Sequence, residues 1–350
     1  MTAGENGPGS SPRLPFCRKE AEARRRGRFR IQYYFAPMEG VTGYPFRNAH
    51  HALFPGMDAY YAPFIELNPA MRLKKRERRD LLPENNAGVP VIPQVMTSQA
   101  GELIRACEML EQEGYREVNL NLGCPSGTVV KKHRGAALLA ESERERLKAL
   151  LGGFFDSAVG ARMPLSVKSR TGMDDSAGVT ELARIFGQFP ISLWILHPRT
   201  QKDQYRGTPN LFAFRDAAEH SVVPMVYNGD VRTPADAARI GAAFPGIRGI
   251  MIGRGLLRNP ALVREIQGGP PLSAAEARTW METYTARQLE EIPAFGSCME
   301  KLKQEWGYLA ESFTGGERAL RRIRQASSRE EYLAAVNEFF REAQIRETPV

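Results

Sequence analysis

Between residue 31 and about residue 267, short apolar runs alternate with segments whose apolar positions recur every three or four residues. Runs such as Ser192–Leu196, which are apolar at nearly every position, are typical of parallel strands buried on both faces. Eight successive β-then-α units predict a (β/α)8 TIM barrel, an α/β fold, since a doubly wound sheet rarely contains so many. The predicted strands are Ile31–Pro37, Asp58–Phe64, Val89–Met96, Glu117–Leu122, Leu165–Ser169, Ser192–His197, Val222–Asn228 and Gly249–Gly253.

The chain beyond this region has a helical pattern without β-type runs. Gly268–Pro271 has the composition of a linker. We therefore predict three parts: a disordered basic leader over residues 1–30, a catalytic barrel over residues 31–267, and a small all-α helical domain over residues 272–346.

Several helices have recognisable starts. Ser142–Glu145 and Ser273–Glu276 have the capping-box pattern, in which a hydroxyl and a carboxylate satisfy backbone N–H groups. Thr233–Asp236 places a proline at the first helical position, where its missing N–H costs nothing. Four apolar residues are predicted to share one face of a late helix: Leu333, Val336, Phe339 and Phe340.

The charge balance favours an anionic partner. There are 48 Lys and Arg residues against 40 Asp and Glu residues, a net charge of +8. Residues 1–30 contain eight basic and three acidic residues, so this leader carries five of the eight net charges. Two interpretations of the leader stay open, a solvated segment or an auxiliary RNA contact.

Cysteine spacing argues against a disulfide scaffold or a zinc site, because the four cysteines are far apart and form no C-x-x-C pair. We predict no metal. No run of eighteen apolar residues is present, and the N-terminal residues lack the apolar core of a secretory signal. We therefore expect a cytoplasmic protein with no membrane partner and no obligatory protein partner.

Polar residues follow the predicted strands, at the end of a barrel where TIM-barrel chemistry takes place. Gly253–Gly255 follows the eighth strand, and the neighbouring seventh strand ends at Asn228 and Gly229. Glycines let backbone N–H groups approach an anion, and Arg254 adds a fork of donors. A tight βα turn is the plainer interpretation of this glycine pair, but its place after the eighth strand favours a phosphate site.

Lys168 stands in an otherwise apolar strand, where its ammonium must meet an anion or a polarised carbonyl. The N1–C2=O edge of an isoalloxazine ring would suit it. Gln94 could then hydrogen-bond the amide-like edge of the same ring, and His197 could hold the ring or the ribityl phosphate. A structural role for His197 is an equal alternative.

Cys124 differs from the other cysteines in its surroundings. Cys107 fits the apolar side of a helix, whereas Cys124 lies between a glycine and a proline on a turn after the fourth strand. A thiol at this position can act as a nucleophile or as a proton donor.

Together these segments resemble the tRNA-dihydrouridine synthase family of bacteria. The N-x-G-C-P signature, followed in order by the K-S-R, H-P-R-T, N-G-D and G-R-G elements, is specific as a set. The motifs that carry the resemblance are Ala36–Thr42, Pro93–Gln94, Leu120–Pro125, Gly135–Leu139, Val167–Arg170, His197–Thr200, Asn228–Asp230 and Met251–Gly255.

The resemblance implies an FMN-containing oxidoreductase that uses NADPH to reduce the C5=C6 bond of a uridine in tRNA. Hydride would pass from flavin N5 to C6 and a proton from Cys124 to C5, while Asn121 would orient the uracil. The residues implied to hold FMN are Pro37, Met38, Gln94, Lys168, His197, Asn228, Gly229, Asp230, Gly253 and Arg254.

A tRNA partner needs cations arranged for its phosphates. A further basic run, Arg72–Arg79, holds six basic residues among eight, although most such runs are solvated helix faces. The residues predicted to contact tRNA are Asn121, Arg170, Arg199, Arg206, Lys301 and Lys303.

Two departures from the family pattern and two rival functions stay open. The loop Val129–Gly135 is basic where many members carry glycines, and Pro198 stands where glycine is common. One rival is an FMN barrel that acts on a small molecule, such as a dihydroorotate-type dehydrogenase. The other is a flavin-free RNA-binding barrel, which would leave Lys168, Gln94 and Cys124 without a role.

Overall fold

The computed structural model describes residues 30–346. The predicted leader therefore lies outside the described residues, apart from Arg30. Among the residues described, no helix is long and apolar enough to cross a membrane.

Eight parallel strands close into a barrel in the order of the sequence, and β1 pairs with both β2 and β8. The predicted TIM barrel is thus confirmed, and every predicted strand is present. The strands are β1 (Gln32–Phe35), β2 (Ala59–Ile65), β3 (Val91–Val95), β4 (Val118–Leu122), β5 (Leu165–Arg170), β6 (Trp194–His197), β7 (Met225–Asn228) and β8 (Gly249–Ile252).

Most strands are shorter than predicted. β1, β3 and β7 each lose three residues, and at β7 all three are lost at the start. Its predicted start, Val222, is 63% exposed, and pairing begins at Met225, directly after Pro224. The loop that leads to the strand is apolar as well, so the apolar pattern does not mark where the strand begins. Hydrogen bonding between strands needs an adjacent strand and a backbone N–H, and proline lacks the N–H.

The barrel interior changes from apolar to polar along the strand direction. In β1, Tyr33 and Phe35 pack against the helix layer, whereas Tyr34 belongs to a separate inner cluster with Tyr61 and Met251. Strands alternate their faces with a period of two. The same alternation in β4 and β5 places polar side chains inside, near the carboxyl ends of the strands.

Helices cover the outside of the barrel and fill its connections. They are α1 (Tyr44–Leu53), α2 (Lys75–Asp80), α3 (Ala100–Gln112), α4 (Gly127–Val130), α5 (Arg144–Phe155), α6 (Val179–Phe186), α7 (Leu211–His220), α8 (Pro234–Ala243), α9 (Arg254–Arg258) and α10 (Leu262–Ile266). Single 3₁₀ turns occur at Pro83–Asn86, Gly135–Leu139, Glu141–Glu143 and Ala310–Ser312.

The C-terminal region is helical, with one addition that the sequence pattern did not predict. A two-stranded antiparallel sheet joins residue pairs that lie about thirty positions apart. The elements of the C-terminal region are α11 (Ala274–Glu291), α12 (Phe295–Leu309), β9 (Phe313–Thr314), α13 (Glu317–Gln325), α14 (Arg329–Glu342) and β10 (Gln344–Ile345).

The predicted helix starts are confirmed in two cases out of three. Thr233 and Asp236 form a capping box with Pro234 inside the first turn, and Ser273 forms the predicted box with Glu276. The prediction at Ser142 is wrong, because the chain already turns through Glu141–Glu143 before α5 begins.

The predicted apolar face of the last helix needs a small correction. Val336 and Phe339 are buried as predicted, but Leu333 is 42% exposed and Tyr332 takes its place in the core. Tyr332 reaches inward because its hydroxyl accepts a hydrogen bond from the Trp306 indole.

An aromatic cluster joins the helical region to the barrel. Phe46 and His50 of α1 meet Trp280 of α11 edge to face, with ring centroids 5.0 and 6.0 Å apart. Tyr284 stacks on Trp280 at 5.6 Å. Deleting residues 272–350 would remove Trp280 and Tyr284 and expose Phe46 and His50, so function must be tested on the intact chain.

A carboxyl group is buried in the helical region. Glu305 on α12 is 1% exposed. One oxygen accepts a hydrogen bond from the Trp280 indole, and the other has no partner among the described residues. Burial raises the pKa of Glu305 to about 8. The folded protein thus keeps this proton at pH values where the unfolded chain releases it.

We expect stability to fall between about pH 5 and pH 8, by an amount on the order of a few kcal/mol, because the unfolded state binds fewer protons in that range. Glu305→Gln should remove this dependence, so its melting temperature should exceed that of the wild type most clearly above pH 8. The control is Glu282→Gln on the exposed side of α11. Parallel pH profiles for wild type and Glu305→Gln would contradict this account.

Candidate active site

A cavity of about 430 Å³ opens at the carboxyl ends of the strands. Its lining includes Cys124, Asn121 and Arg170, together with all ten residues predicted to hold a cofactor. Arg199, Arg206, Lys301 and Lys303 lie outside its lining. The ten residues are Pro37, Met38, Gln94, Lys168, His197, Asn228, Gly229, Asp230, Gly253 and Arg254.

A chain of side-chain amides crosses the barrel interior below this cavity. The Asn119 amide donates to Ser166 at 3.0 Å, and Gln94 donates to Asn119 at 2.7 Å. Asn121 donates to the Gln94 oxygen at 2.7 Å and accepts the backbone N–H of Cys124 at 2.9 Å. Each amide nitrogen keeps a second hydrogen. The chain therefore fixes the turn that carries Cys124 and leaves Gln94 and Asn121 able to donate to a ligand.

Cys124 is half-buried at the cavity wall. Burial raises the pKa of its thiol, although the Ser126 backbone N–H and the charges of Arg170 and Lys168 act in the opposite direction. The thiol thus keeps its proton at neutral pH, as a proton donor must. Cys107 and Cys298 are fully buried, in keeping with small apolar core residues.

Lys168 lines the cavity without a carboxylate partner among the described residues. Within the described residues, no hydrogen bond or ion pair joins the Lys168 ammonium to the protein. Burial lowers its pKa to about 7, and repulsion from Arg170 contributes. A lysine held in this way gains most from an electron-rich or anionic ligand.

His197 is neutral in this environment. Burial, with the positive charges of Lys168, Arg170, Arg199 and Arg254, holds the pKa of His197 well below its usual range. The Arg199 guanidinium lies 3.1 Å from His197 Nε2, and an arginine can only donate. Nε2 must therefore accept, which leaves Nδ1 protonated and able to donate to a ligand.

Asp230 holds two guanidinium groups at the cavity edge. Arg199 contacts it with both terminal nitrogens, at 3.1 and 2.7 Å, and Arg254 contacts it at 2.9 Å. Burial alone would raise the pKa of Asp230, but its bonds to Arg199 and the charge of Arg254 keep it below the usual value. Asp230 therefore orients Arg254, whose remaining donors can meet an anion.

Two predicted tRNA contacts are buried in the protein. Arg170 is 2% exposed and donates to the carbonyl oxygens of Gly123, Thr200 and Gln204. Arg199 is 1% exposed and bonds to carbonyl oxygens of the same loop as well as to Asp230. These guanidinium groups tie the loop after β6 to the site, and a direct phosphate contact would require their withdrawal.

The other predicted tRNA contacts lie nearer the surface. Arg206 is exposed in the loop after β6. Lys301 donates to the carbonyl of Gly40 beside a second cavity of about 200 Å³, and Lys303 lies 3.6 Å from Glu300. The basic run over residues 72–79 is largely ion-paired, with partners that include Glu39, Glu77, Glu113 and Glu291.

Tyr205, which the sequence pattern did not assign to the site, is 57% exposed at the cavity mouth. The guanidinium groups of Arg170 and Arg254 lie 5.3 and 4.9 Å from its ring centroid, and the His197 ring is 6.2 Å away. The available signal was an aromatic residue between Lys202 and Arg206 in a loop that follows a barrel strand.

One wall of the cavity comes from the helical region, which the sequence pattern did not predict. Gln304 and Tyr308 of α12 line it together with Arg258 of α9. Arg258 pairs with Glu311 and lies over the Tyr308 ring at 5.7 Å. No local pattern reveals this wall, because it depends on the docking of α12 against α9.

The geometry fits an electron-rich ring that carries an anionic group. Lys168 and His197 offer donors on one side of the cavity, and Arg254 offers donors at β8. An added Cβ at Gly253 would lie 3.4 Å from Ala36 Cβ and 3.7 Å from Met38 Sδ, so glycine keeps this floor open. Asn228 holds β7 to β8 by donating to the Met251 carbonyl at 2.9 Å.

The sequence matches the dihydrouridine synthase (Dus) family over residues 34–344. It is 27% identical over 318 residues to tRNA-dihydrouridine synthase B of Proteus vulgaris, covering 87% of this chain and 95% of that protein. It is 26% identical over 317 residues to the protein of the same name in Escherichia coli K12, with the same coverage of both chains.

Solved structures support the fold. Histamine dehydrogenase from Rhizobium sp. 4-9 superposes with a TM-score of 0.53 at 12% identity, covering 72% of this chain and 49% of that one. The old yellow enzyme from Trypanosoma cruzi gives a TM-score of 0.51 at 11% identity, covering 75% and 94%. At these identities the likeness shows the barrel fold alone.

Proposed function

Because this chain belongs to the dihydrouridine synthase family, we propose that it is a flavin-dependent oxidoreductase that reduces the C5=C6 bond of a uridine in tRNA. FMN is the proposed flavin, NADPH the proposed reductant and the cytoplasm the proposed location. The observation that carries the proposal is that a protonated thiol, Cys124, and an unpaired ammonium, Lys168, line the same cavity.

The cavity residues suit FMN in the arrangement that the resemblance implies. Bound FMN would supply the hydride that reaches C6. Lys168 would face the electron-rich edge of the ring, and Gln94 would donate its second amide hydrogen to the opposite edge. Arg254 and the backbone around Gly253 and Gly229 would hold the phosphate, with Asp230 positioning Arg254 rather than touching the anion.

Cys124 would complete the reduction as a general acid. Hydride addition at C6 moves negative charge toward C5 and O4 of the uracil, and the thiol then gives its proton to C5. Asn121 would hold the uracil through its second amide hydrogen, while its oxygen keeps the Cys124 turn in place. The base must leave the tRNA stack to enter the cavity, which costs a few kcal/mol of unstacking energy.

The helical region over residues 272–346 is the proposed tRNA-binding part, with the barrel over residues 31–267 as the catalytic part. Arg318, Arg321 and Arg324 are exposed on α13, whereas Arg322 is engaged by Glu338. Exposed guanidinium groups on one helix can neutralise the phosphates of an RNA backbone.

Replacing Arg318, Arg321 and Arg324 with alanine is expected to weaken tRNA binding. The slope of log K against log salt should fall by roughly 0.7–0.9 for each phosphate contact that is lost. NADPH oxidation by the flavin should not change. The control removes exposed arginines from barrel helices, Arg105→Ala with Arg184→Ala. Equal losses in both variants, or no loss in the first, would count against this surface.

A barrel flavoenzyme for small molecules is the second candidate, because the cavity by itself would also admit a free pyrimidine. The family match and the tRNA-named relatives favour tRNA. The test maps dihydrouridine across all tRNAs in cells with and without this protein. Loss of dihydrouridine at defined positions supports the proposal, and an unchanged map together with turnover of free pyrimidines by the intact protein refutes it.

A further inference from the structure

The segment after Cys124 turns back and packs against it. Ala136 donates its backbone N–H to the Cys124 carbonyl at 3.1 Å. Gly135 has φ +59°, and an added Cβ there would lie 3.0 Å from the Cys124 carbonyl oxygen and 3.1 Å from Cys124 Cβ. The position of Cys124 therefore depends on how this returning segment is held.

Arg134, directly before Gly135, joins the segment to two other barrel units. One terminal nitrogen donates to Glu66 just after β2 at 3.1 Å, and the other donates to both oxygens of Glu102 on α3 at 3.1 and 3.0 Å. The three side chains are only 16–18% exposed. Thr97 also donates to Glu102, which fixes that carboxylate.

The two lysines of the same loop make no such contacts. Lys131 and Lys132 are exposed, and no ion pair joins either of them to another described residue. Bidentate contacts of a guanidinium with little exposure define one geometry, whereas an exposed lysine samples many. Arg134 is thus the cation of this loop that is built into the site.

The charges also connect this contact to the thiol. Glu66 is close enough to Cys124 for its negative charge to raise the thiol pKa. The Arg134 guanidinium offsets that charge at hydrogen-bonding distance. Without Arg134, the uncompensated charge of Glu66 would raise the pKa of the Cys124 thiol further.

We propose that Arg134 is a positioning residue: by bridging Glu66 and Glu102 it holds the Gly135 backbone against Cys124 and fixes the proton donor at the cavity wall. This inference rests on the proposed role of Cys124 as the acid. The hydrogen bonds of Asn121 and Arg170 hold the backbone at Gly123 and Cys124, and Arg134 holds the segment that packs back against Cys124.

The test compares Arg134→Met with Lys132→Met as flavin-loaded protein. Both variants carry Cys17→Ser, so that Cys124 and the buried Cys107 and Cys298 are the remaining cysteines. We expect Arg134→Met to lower kcat for dihydrouridine formation by at least about tenfold, since small misplacements of a reacting group cost that much or more. The KM for tRNA and the rate of NADPH oxidation without tRNA should stay within about twofold of wild type, because Arg134 is proposed to act on the proton donor and not on binding. Lys132→Met should match wild type.

A second readout does not depend on catalysis. The rate of Cys124 alkylation by iodoacetamide, measured against pH, should show a midpoint moved to higher pH in Arg134→Met, with the Cys124→Ala protein as the blank. Adding Glu66→Gln should return the midpoint toward wild type, and Arg134→Lys should recover part of kcat, because an ammonium can pair with one carboxylate.

The two readouts separate this inference from the proposed function. If wild type forms no dihydrouridine but Arg134→Met still moves the alkylation midpoint, the function fails and the positioning stands. An alkylation profile of Arg134→Met that equals that of Lys132→Met overturns the positioning role, whatever the activity. If Arg134→Met does not fold, the alkylation profiles of Arg134→Lys and of the double variant Arg134→Met with Glu66→Gln are compared with that of Lys132→Met instead.

Discussion

Replacing Cys124 with alanine is expected to lower dihydrouridine formation by about 10²–10⁴-fold, the contribution of a positioned general acid. The turn around Cys124 is held by the amide of Asn121 and the guanidinium of Arg170, which bond to backbone atoms and not to the thiol. The variant should therefore fold, bind flavin and oxidise NADPH like the wild type. Dihydrouridine is measured by mass spectrometry of digested tRNA.

The role of Cys124 as an acid also predicts how the reaction rate depends on pH. Burial raises the Cys124 pKa, and the reaction needs the protonated thiol, so the wild-type rate should fall at alkaline pH as the thiol ionises. The residual rate of Cys124→Ala should lack that alkaline limb. Cys124→Ser keeps the shape of the side chain but is a far weaker acid, so it should resemble alanine. Wild-type activity in either variant would remove Cys124 from the chemistry.

Replacing Lys168 with methionine is expected to weaken flavin binding and to slow flavin-dependent reduction by about 10²–10³-fold, the cost of losing one preorganised donor at a site of developing charge. Methionine keeps much of the side-chain volume inside the barrel. The measurements are flavin affinity by fluorescence quenching and the rate of flavin reduction by NADPH in a stopped-flow instrument.

Lys168 also predicts how flavin affinity depends on pH. Its pKa is about 7 in the free protein, and an electron-rich partner would raise it. Below pH 7 the ammonium is already protonated, whereas above it binding must take up a proton. Wild-type affinity should therefore decrease as pH rises above 7, and Lys168→Met should lose this dependence. Lys202→Met, which removes an exposed lysine of the loop after β6, is the control; a pH slope shared by all three proteins would contradict the assignment.

The sequence predicted the barrel and the residues that line its cavity because both follow from local order. Apolar runs of strand length mark buried parallel strands, and side chains at their carboxyl ends meet at one rim. Lys168 was predictable because a charge inside a buried strand needs a special environment. The family motifs added Pro37 and Met38, for which composition alone gave no signal.

Long-range packing decided what the sequence could not predict. Arg170 and Arg199 resemble surface cations in the sequence, yet loop carbonyls and Asp230 surround them. Tyr205 lies at the cavity mouth because its ring packs against the guanidinium groups of Arg170 and Arg254. Arg134 looked like one charge in a basic loop, and its contacts with Glu66 and Glu102 required the folded barrel.

In the most direct measurement, unmodified tRNA is incubated with the purified, FMN-loaded protein and NADPH. The masses of the nucleosides are then determined by mass spectrometry. We expect one or more uridines to gain the mass of two hydrogen atoms with wild type, and at least about a hundredfold less of this product in the same time with Cys124→Ala, while both proteins oxidise NADPH. A wild-type protein that binds FMN, oxidises NADPH and leaves every uridine in a full set of tRNAs unchanged would contradict the assignment of this cavity to uridine reduction.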